Sequence, residues 1–171
     1  MLPCNMRILS LLHDLARAGL RFQVFGSTGL ALHHPRLLDV YPLPDLDLLL
    51  PPEHDALRAL VRALQDRDFR VSSWGEPWED RWGPDELRGR FYLRATRDAL
   101  TVDATYEATY QEDAWSPGEL LLLGGVPVCS EGLLWRAKLL KDRDRAFRFA
   151  REHGLEMACF SGMVRGDLPK T

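Results

Sequence analysis

Apolar positions along this chain alternate between two periods, and the switches between them outline the fold. Over residues 5–18, Ile8, Leu11, Leu12 and Leu15 recur at helical spacing, and Gly19 follows as a C-terminal stop. Arg21 to Phe25 is short, β-branched and aromatic, and predicts a strand. Gly26-Ser27-Thr28-Gly29 then turns the chain into a short helix over Leu30 to His34, which Pro35 helps to end. Residues 35–44 hold three prolines and predict a loop.

Asp45 to Leu50 predicts a second strand, with Asp45 and Asp47 on one face and Leu46 and Leu48 on the other. Pro51-Pro52 breaks it and opens a helix to about Asp66, burying Leu57, Leu60, Val61 and Leu64. Phe69 to Ser73 predicts a third strand. A long loop over 74–88 follows, rich in tryptophan, glycine and proline. Phe91 to Thr96 and Leu100 to Tyr106 predict an antiparallel pair turning near Arg97-Asp98, and Leu120 to Leu123 with Val126 to Cys129 predict a hairpin about Gly124-Gly125. Ser130 caps a single final helix to about His153, with Gly154 beyond it. The sum is one α/β (α+β) domain, a mixed β-sheet flanked by helices over residues 1–158, with 159–171 as a C-terminal tail.

Composition adds limits. The chain has 171 residues, 46% hydrophobic and 27% charged, with a formal net charge of -3. That charge gives no global attraction to nucleic acid or to an anionic membrane. The apolar run Ile8 to Leu12 is interrupted by His13, Asp14 and Arg17, so neither a signal peptide nor a membrane span is expected. Three widely spaced cysteines, Cys4, Cys129 and Cys159, show no zinc-ligand spacing and fit a reducing, cytoplasmic setting.

The candidate chemistry lies at the first two strand ends. Two carboxylates at i and i+2 point the same way, about 7 Å apart along the strand. Asp45 and Asp47 can therefore ligate a hard divalent cation such as Mg²⁺, or serve merely as a solvated strand face. Gly26 and Ser27 at a strand-to-helix turn suit an anion, because backbone N–H groups point outward there; a simple helix cap reads the same way. Asp103, inside an apolar later strand, needs a partner or a metal. If its strand neighbours that of Asp47, three carboxylates converge as in-line phosphoryl chemistry requires.

Gly26-Ser27, Asp45-x-Asp47 and the later Asp103 together resemble the polymerase-β-type nucleotidyltransferase superfamily, over roughly residues 5–153. Within it the chain is most similar to the aminoglycoside 2''- and lincosamide-type adenylyltransferases and AbiEii-type toxins. The stretch Leu123 to Ser130, leading into Leu133-Leu134-Trp135, resembles the hairpin and helix that close those domains. The resemblance implies two Mg²⁺ ions held by Asp45, Asp47 and Asp103, and a nucleoside triphosphate on Gly26 and Ser27. It implies a small hydroxylated acceptor, cationic in the aminoglycoside branch. The alternatives are a toxin-type enzyme acting on tRNA or protein, and an inactive binding protein of the same fold. A departure is Tyr41-Pro42-Leu43-Pro44, where such families carry an arginine and a threonine-like residue before the D-x-D.

Lys138, Lys141, Arg145 and Arg148 form one basic stripe on the expected final helix, with Leu133, Ala137, Leu140 and Phe147 as the apolar stripe beside it. The basic stripe is either a solvated face or, by the resemblance, the source of a lysine (Lys138 or Lys141) for the triphosphate. Nucleic acid is a less favoured partner for it, given the acidic total. Trp74, Glu76, Trp78, Glu79, Asp80 and Trp82, with Glu107, Glu112, Asp113 and Trp115, either cover the sheet or hold a polycationic acceptor by charge and cation–π contact. Of these, Glu107, Asp113 and Trp115 are the acceptor-binding candidates. His33 and His34 precede a proline at a helix end and read as structural.

Overall fold

The sheet is built around a strand that carries aspartates at one end and an unbroken apolar run at the other. The computed structural model of the chain describes residues 1–80, 90–115 and 121–155, apart from the side chains of 112 and 113. Its elements, in chain order, begin with α1 (Pro3–Arg17), β1 (Gln23–Val24), α2 (Gly26–His33), α3 (Leu37–Val40), β2 (Leu46–Leu49) and α4 (His54–Gln65). There follow β3 (Arg70–Ser73), β4 (Glu76–Pro77), β5 (Arg90–Arg97), β6 (Leu100–Glu107) and α5 (Ala108–Ala114). The last are β7 (Leu121–Leu123), β8 (Val126–Val128), α6 (Glu131–Lys141) and α7 (Arg143–Glu152).

Among the described residues the strands form one eight-stranded mixed sheet in the order β4-β3-β5-β6-β2-β1-β8-β7. β2 is central, parallel to β6 and antiparallel to β1, while β1 lies parallel to β8. Leu46, Leu48, Leu49 and Leu50 are fully buried, as a central strand demands. The inward faces of α1 and α4 are the expected ones, Ile8, Leu11, Leu12 and Leu15 on the first and Leu57, Leu60, Val61 and Leu64 on the second.

The expected final helix is instead two. Asp142 is extended (φ -162°, ψ 99°), and its carboxylate accepts a hydrogen bond from the Arg145 amide at 2.9 Å. An aspartate in extended geometry is a strong N-cap, so it ends α6 and starts α7 at once. The second helix can then fold back, placing Phe149 against Trp135 with ring centroids 6.3 Å apart. Lys138 and Lys141 therefore belong to one helix and Arg145 and Arg148 to another, and the four-residue basic stripe does not exist. The apolar stripe fails with it, since Leu140 and Phe147 are exposed.

Two short helices also replace expected irregular chain. α3 lies within residues 35–44, and α5 directly follows β6. The loop over 74–88 opens with the two-residue hairpin β3–β4, in which Ser73 pairs with Glu76; residues 81–89, including Trp82, lie outside the described residues, as does the expected tail. Trp74 (φ 52°) and Gly75 (φ 89°) both occupy the left-handed region in this turn. That is the type I′ geometry, which favours Asn-Gly and costs an ordinary L-residue about 1–2 kcal/mol.

Tyr41 to Pro44, the segment that departs from the resembled pattern, is held by a residue on the first helix. Asn5 is buried, and its amide donates to the carbonyls of Leu38 (3.0 Å) and Tyr41 (2.8 Å). Its carbonyl accepts from the Leu43 amide at 2.9 Å. One side chain thus satisfies three backbone groups just before the aspartate strand. Asn5→Leu keeps the branched shape but strands the Tyr41 carbonyl and the Leu43 amide, while Leu38 keeps its bond from the Leu2 amide, so it is expected to cost about 2–4 kcal/mol in chemical denaturation. An unchanged midpoint would show that the segment is held by something else.

Candidate functional site

The parallel register of β2 on β6 sets Asp47 directly opposite Asp103. Asp45, two residues before Asp47, shares its face. One carboxylate oxygen from each of the three lies within 4.8 Å of the others. The start of β2 is pinned from both directions: the Phe25 amide donates to the Asp47 carbonyl, and the Thr28 hydroxyl to the Asp45 carbonyl, each at 2.8 Å.

The expected glycine turn is here the first turn of α2, which begins at Gly26 itself. Gly26 has φ 60°, and a Cβ there would lie 1.8 Å from Asp47 Oδ2. Only glycine lets the carboxylate rest on the helix start, a demand of space as well as of backbone conformation. At Gly29 a Cβ would meet Leu134 Cδ1 at 2.9 Å, so the same helix also packs closely on α6.

That close packing brings lysine to the site. Lys138 Nζ donates to Ser27 Oγ at 3.0 Å and lies 4.8 Å from the centroid of the Phe149 ring. Burial lowers its pKa, while Asp47 opposes that shift. Lys141, at the exposed end of α6, acts on Asp45 and Asp47 by charge alone. Gly26, Ser27 and Lys138 therefore meet beside Asp47, and Lys141, though exposed, exerts the larger pull of the two lysines on Asp45 and Asp47. His33 and His34 are structural, as expected: their Nε2 atoms contact the Cys129 carbonyl (2.9 Å) and Glu131 Oε1 (2.7 Å).

Burial and like charge together weigh on the centre. Burial, followed by repulsion from Asp45 and Asp103, pushes the Asp47 carboxyl up to about 7. Asp45 is raised for the same reasons. Neither makes a direct ion pair among the described residues, the charges of Lys138 and Lys141 are outweighed by burial and like charge, and a converging set of hard oxygen donors suits a divalent ion. Asp103 is the exception. Arg94 on β5 grips it in a two-point ion pair, Nε to Oδ1 at 2.8 Å and Nη2 to Oδ2 at 2.7 Å. Tyr92, on the same face, has its phenol pushed up to about 12, first by burial and then by Asp103.

Arg94 and Tyr92 are absent from the sequence reading, although a signal for the first was available. Arg97 pairs with Leu100 across the β5–β6 turn, and stepping three residues along each strand from there sets Arg94 against Asp103. Of the acceptor candidates, Glu107 lies on the Asp103 face but four residues on, about 13 Å along the strand. It faces Arg90, whose Nε is 3.9 Å from Glu107 Oε2. Trp115 is partly buried beneath Arg21 and near Gln23, at the opposite end of β1 from Gly26. The structure does not bring it to the aspartates. The Asp113 and Glu112 side chains lie outside the described residues.

The charge balance predicts a pH signature. The folded-state pKa of Asp47 exceeds its unfolded value, so the unfolded chain releases this proton first as pH rises. Stability from this group therefore falls between about pH 4 and pH 7. A divalent cation competes with that proton. Thermal unfolding should show little stabilisation by millimolar Mg²⁺ near pH 5 and a clear rise near pH 8, lost in Asp47→Asn. Equal Mg²⁺ effects at the two pH values would contradict the charge assignment.

No family model matches the chain, and no curated protein matches it. Among solved structures, one described as a "putative nucleotidyltransferase from H. pylori" aligns with a TM-score of 0.44 at 13% identity. The alignment covers 79% of this chain and 56% of that one, so this chain spans little more than half the length of the neighbour.

Proposed function

We propose that the chain is a divalent-metal-dependent nucleotidyltransferase, moving a nucleoside monophosphate from a nucleoside triphosphate to an acceptor hydroxyl. The observation that carries this reading is the convergence of Asp45, Asp47 and Asp103 within 4.8 Å. They converge beside the start of α2, whose Gly26 and Ser27 offer backbone N–H groups and a hydroxyl, and beside Lys138 of α6, which offers an ammonium. Carboxylates and phosphate-binding groups side by side are what a metal–triphosphate complex needs.

In this reading Asp45, Asp47 and Asp103 hold Mg²⁺, as two ions by the resemblance. Bound there, the metal supplies charge neutralisation at the phosphates and lowers the pKa of the acceptor hydroxyl. Gly26 and Ser27 orient the β,γ-phosphates, and Lys138 and Lys141 balance their charge. The acceptor oxygen forms a bond to the α-phosphorus while the bond from that phosphorus to the β-phosphate oxygen breaks. Pyrophosphate leaves, and the hydroxyl proton passes to a carboxylate, with Asp103 the candidate. Arg94 fixes the orientation of Asp103 throughout.

The resemblance to antibiotic-modifying enzymes supports a small aminoglycoside- or lincosamide-like acceptor. The pairing of Glu107 with Arg90 weakens the polycationic form of that idea, because this carboxylate is already matched. The test is transfer of α-labelled nucleotide with Mg²⁺ to a panel of aminoglycosides, lincosamides, RNA and protein. Asp45→Asn and Asp47→Asn should each lower the rate about 10³-fold or more, the scale of losing metal-borne charge stabilisation. Full activity in either variant would contradict the metal assignment, and no pyrophosphate release with any acceptor would contradict transfer itself.

A further inference from the structure

We propose that the cleft between α1, the α4–β3 connection and the β5–β6 turn is a second binding site, and that it takes a small phosphate ester. Arg97 lies three residues beyond Arg94 on β5, so its side chain leaves the sheet on the face opposite the aspartates. There it meets Arg67 from the α4–β3 connection, with Arg7, Ser10 and Asp14 from one face of α1. These residues, with Asp98, line a cleft of about 540 Å³. That volume is in the range of small-molecule sites and is more than a bare phosphate ion fills.

The guanidinium groups of Arg67 and Arg97 are oriented without being neutralised. Arg97 Nη1 donates to the Arg67 carbonyl at 2.6 Å, and its guanidinium lies 4.7 Å from the Phe69 ring centroid. Arg67 Nη1 donates to the Ala63 carbonyl at 2.7 Å. A backbone carbonyl fixes a guanidinium but brings no net charge, and each fork keeps most of its five N–H donors. Both side chains are half-buried, while Arg7 is exposed and adds a third positive charge. Among the described residues none of the three forms an ion pair with a carboxylate.

Two carboxylates line the cleft as well, and each has another role. Asp14 is 3.6 Å from Arg17, one turn further along α1. Asp98 occupies the left-handed region (φ 51°) in the β5–β6 turn, which aspartate tolerates better than most residues. The cleft thus sets three cations against two anions, one of them shared with Arg17. Planar guanidinium forks match phosphate oxygens two at a time, and the Ser10 hydroxyl can donate to a further oxygen. Leu11 and Leu100 supply apolar surface for the organic part of an ester. A cationic ligand would be repelled by two half-buried guanidinium groups.

The experiment titrates AMP, glycerol phosphate and inorganic phosphate calorimetrically into the full chain, in EDTA and at constant ionic strength. At least one ester should bind, and more tightly than inorganic phosphate. Arg97→Gln should weaken that binding about tenfold or more, the scale of losing a charge-assisted hydrogen bond. Arg7→Gln, at an exposed residue without a partner among the described residues, should weaken it about threefold. Asp98→Asn gives a change that misfolding cannot mimic: asparagine suits the same φ, and loss of the opposing charge should tighten binding about twofold. Lys138→Gln should leave the affinity unchanged, since Lys138 lies beside Asp47 on the other face of the sheet. Wild-type affinity in Arg97→Gln, no binding of either ester at millimolar concentration, or loss in Lys138→Gln instead would overturn the proposal. Inorganic phosphate bound as tightly as both esters would overturn the assignment of an ester. None of these readouts requires nucleotidyl transfer, so failure of either reading leaves the other standing.

Discussion

Three carboxylates brought to within 4.8 Å of one another by parallel pairing are the constraint that organises this molecule. Two of them are raised in pKa, first by burial and then by like charge, and one is tied to an arginine; a bound cation would relieve that cost. The surroundings accommodate that cost. Gly26 gives Asp47 room, Thr28 and Phe25 pin the strand backbone, and Asn5 on α1 holds the segment that leads into it.

The site combines two kinds of wall. On one side, α2 and α6 contribute a helix start, a hydroxyl and Lys138. On the other, β5 contributes guanidinium groups and rings. The two sides meet at the aspartates, with a hydroxyl and an ammonium on one side and guanidinium groups with an aromatic ring on the other.

Much of this was legible in the sequence because it depends on local periodicity. The alternation of Asp45 and Asp47 with Leu46 and Leu48, and the glycine pair between two short apolar runs, report strand faces and a hairpin without long-range information. What was missed depended on competition or on distance. Asp142 sits within a helical pattern and interrupts it because its side chain makes a better cap than a helix interior. The Arg94–Asp103 pair appears only once strand register is known. The β3–β4 turn was hidden for the opposite reason: Trp74, read only as part of a long loop, is not the residue that this turn geometry advertises.

The same register gives the site its most direct handle. Asp47, its pKa pushed up to about 7, should surrender a proton when a divalent cation binds below that pH. Calorimetric titration of Mg²⁺ into the protein near pH 6.5, repeated in buffers of different ionisation enthalpy, counts that proton. The account predicts release of about half a proton to one proton per binding event, abolished in Asp47→Asn. Mg²⁺ binding with no proton released, or no binding at millimolar concentration, would contradict a cation site at these carboxylates.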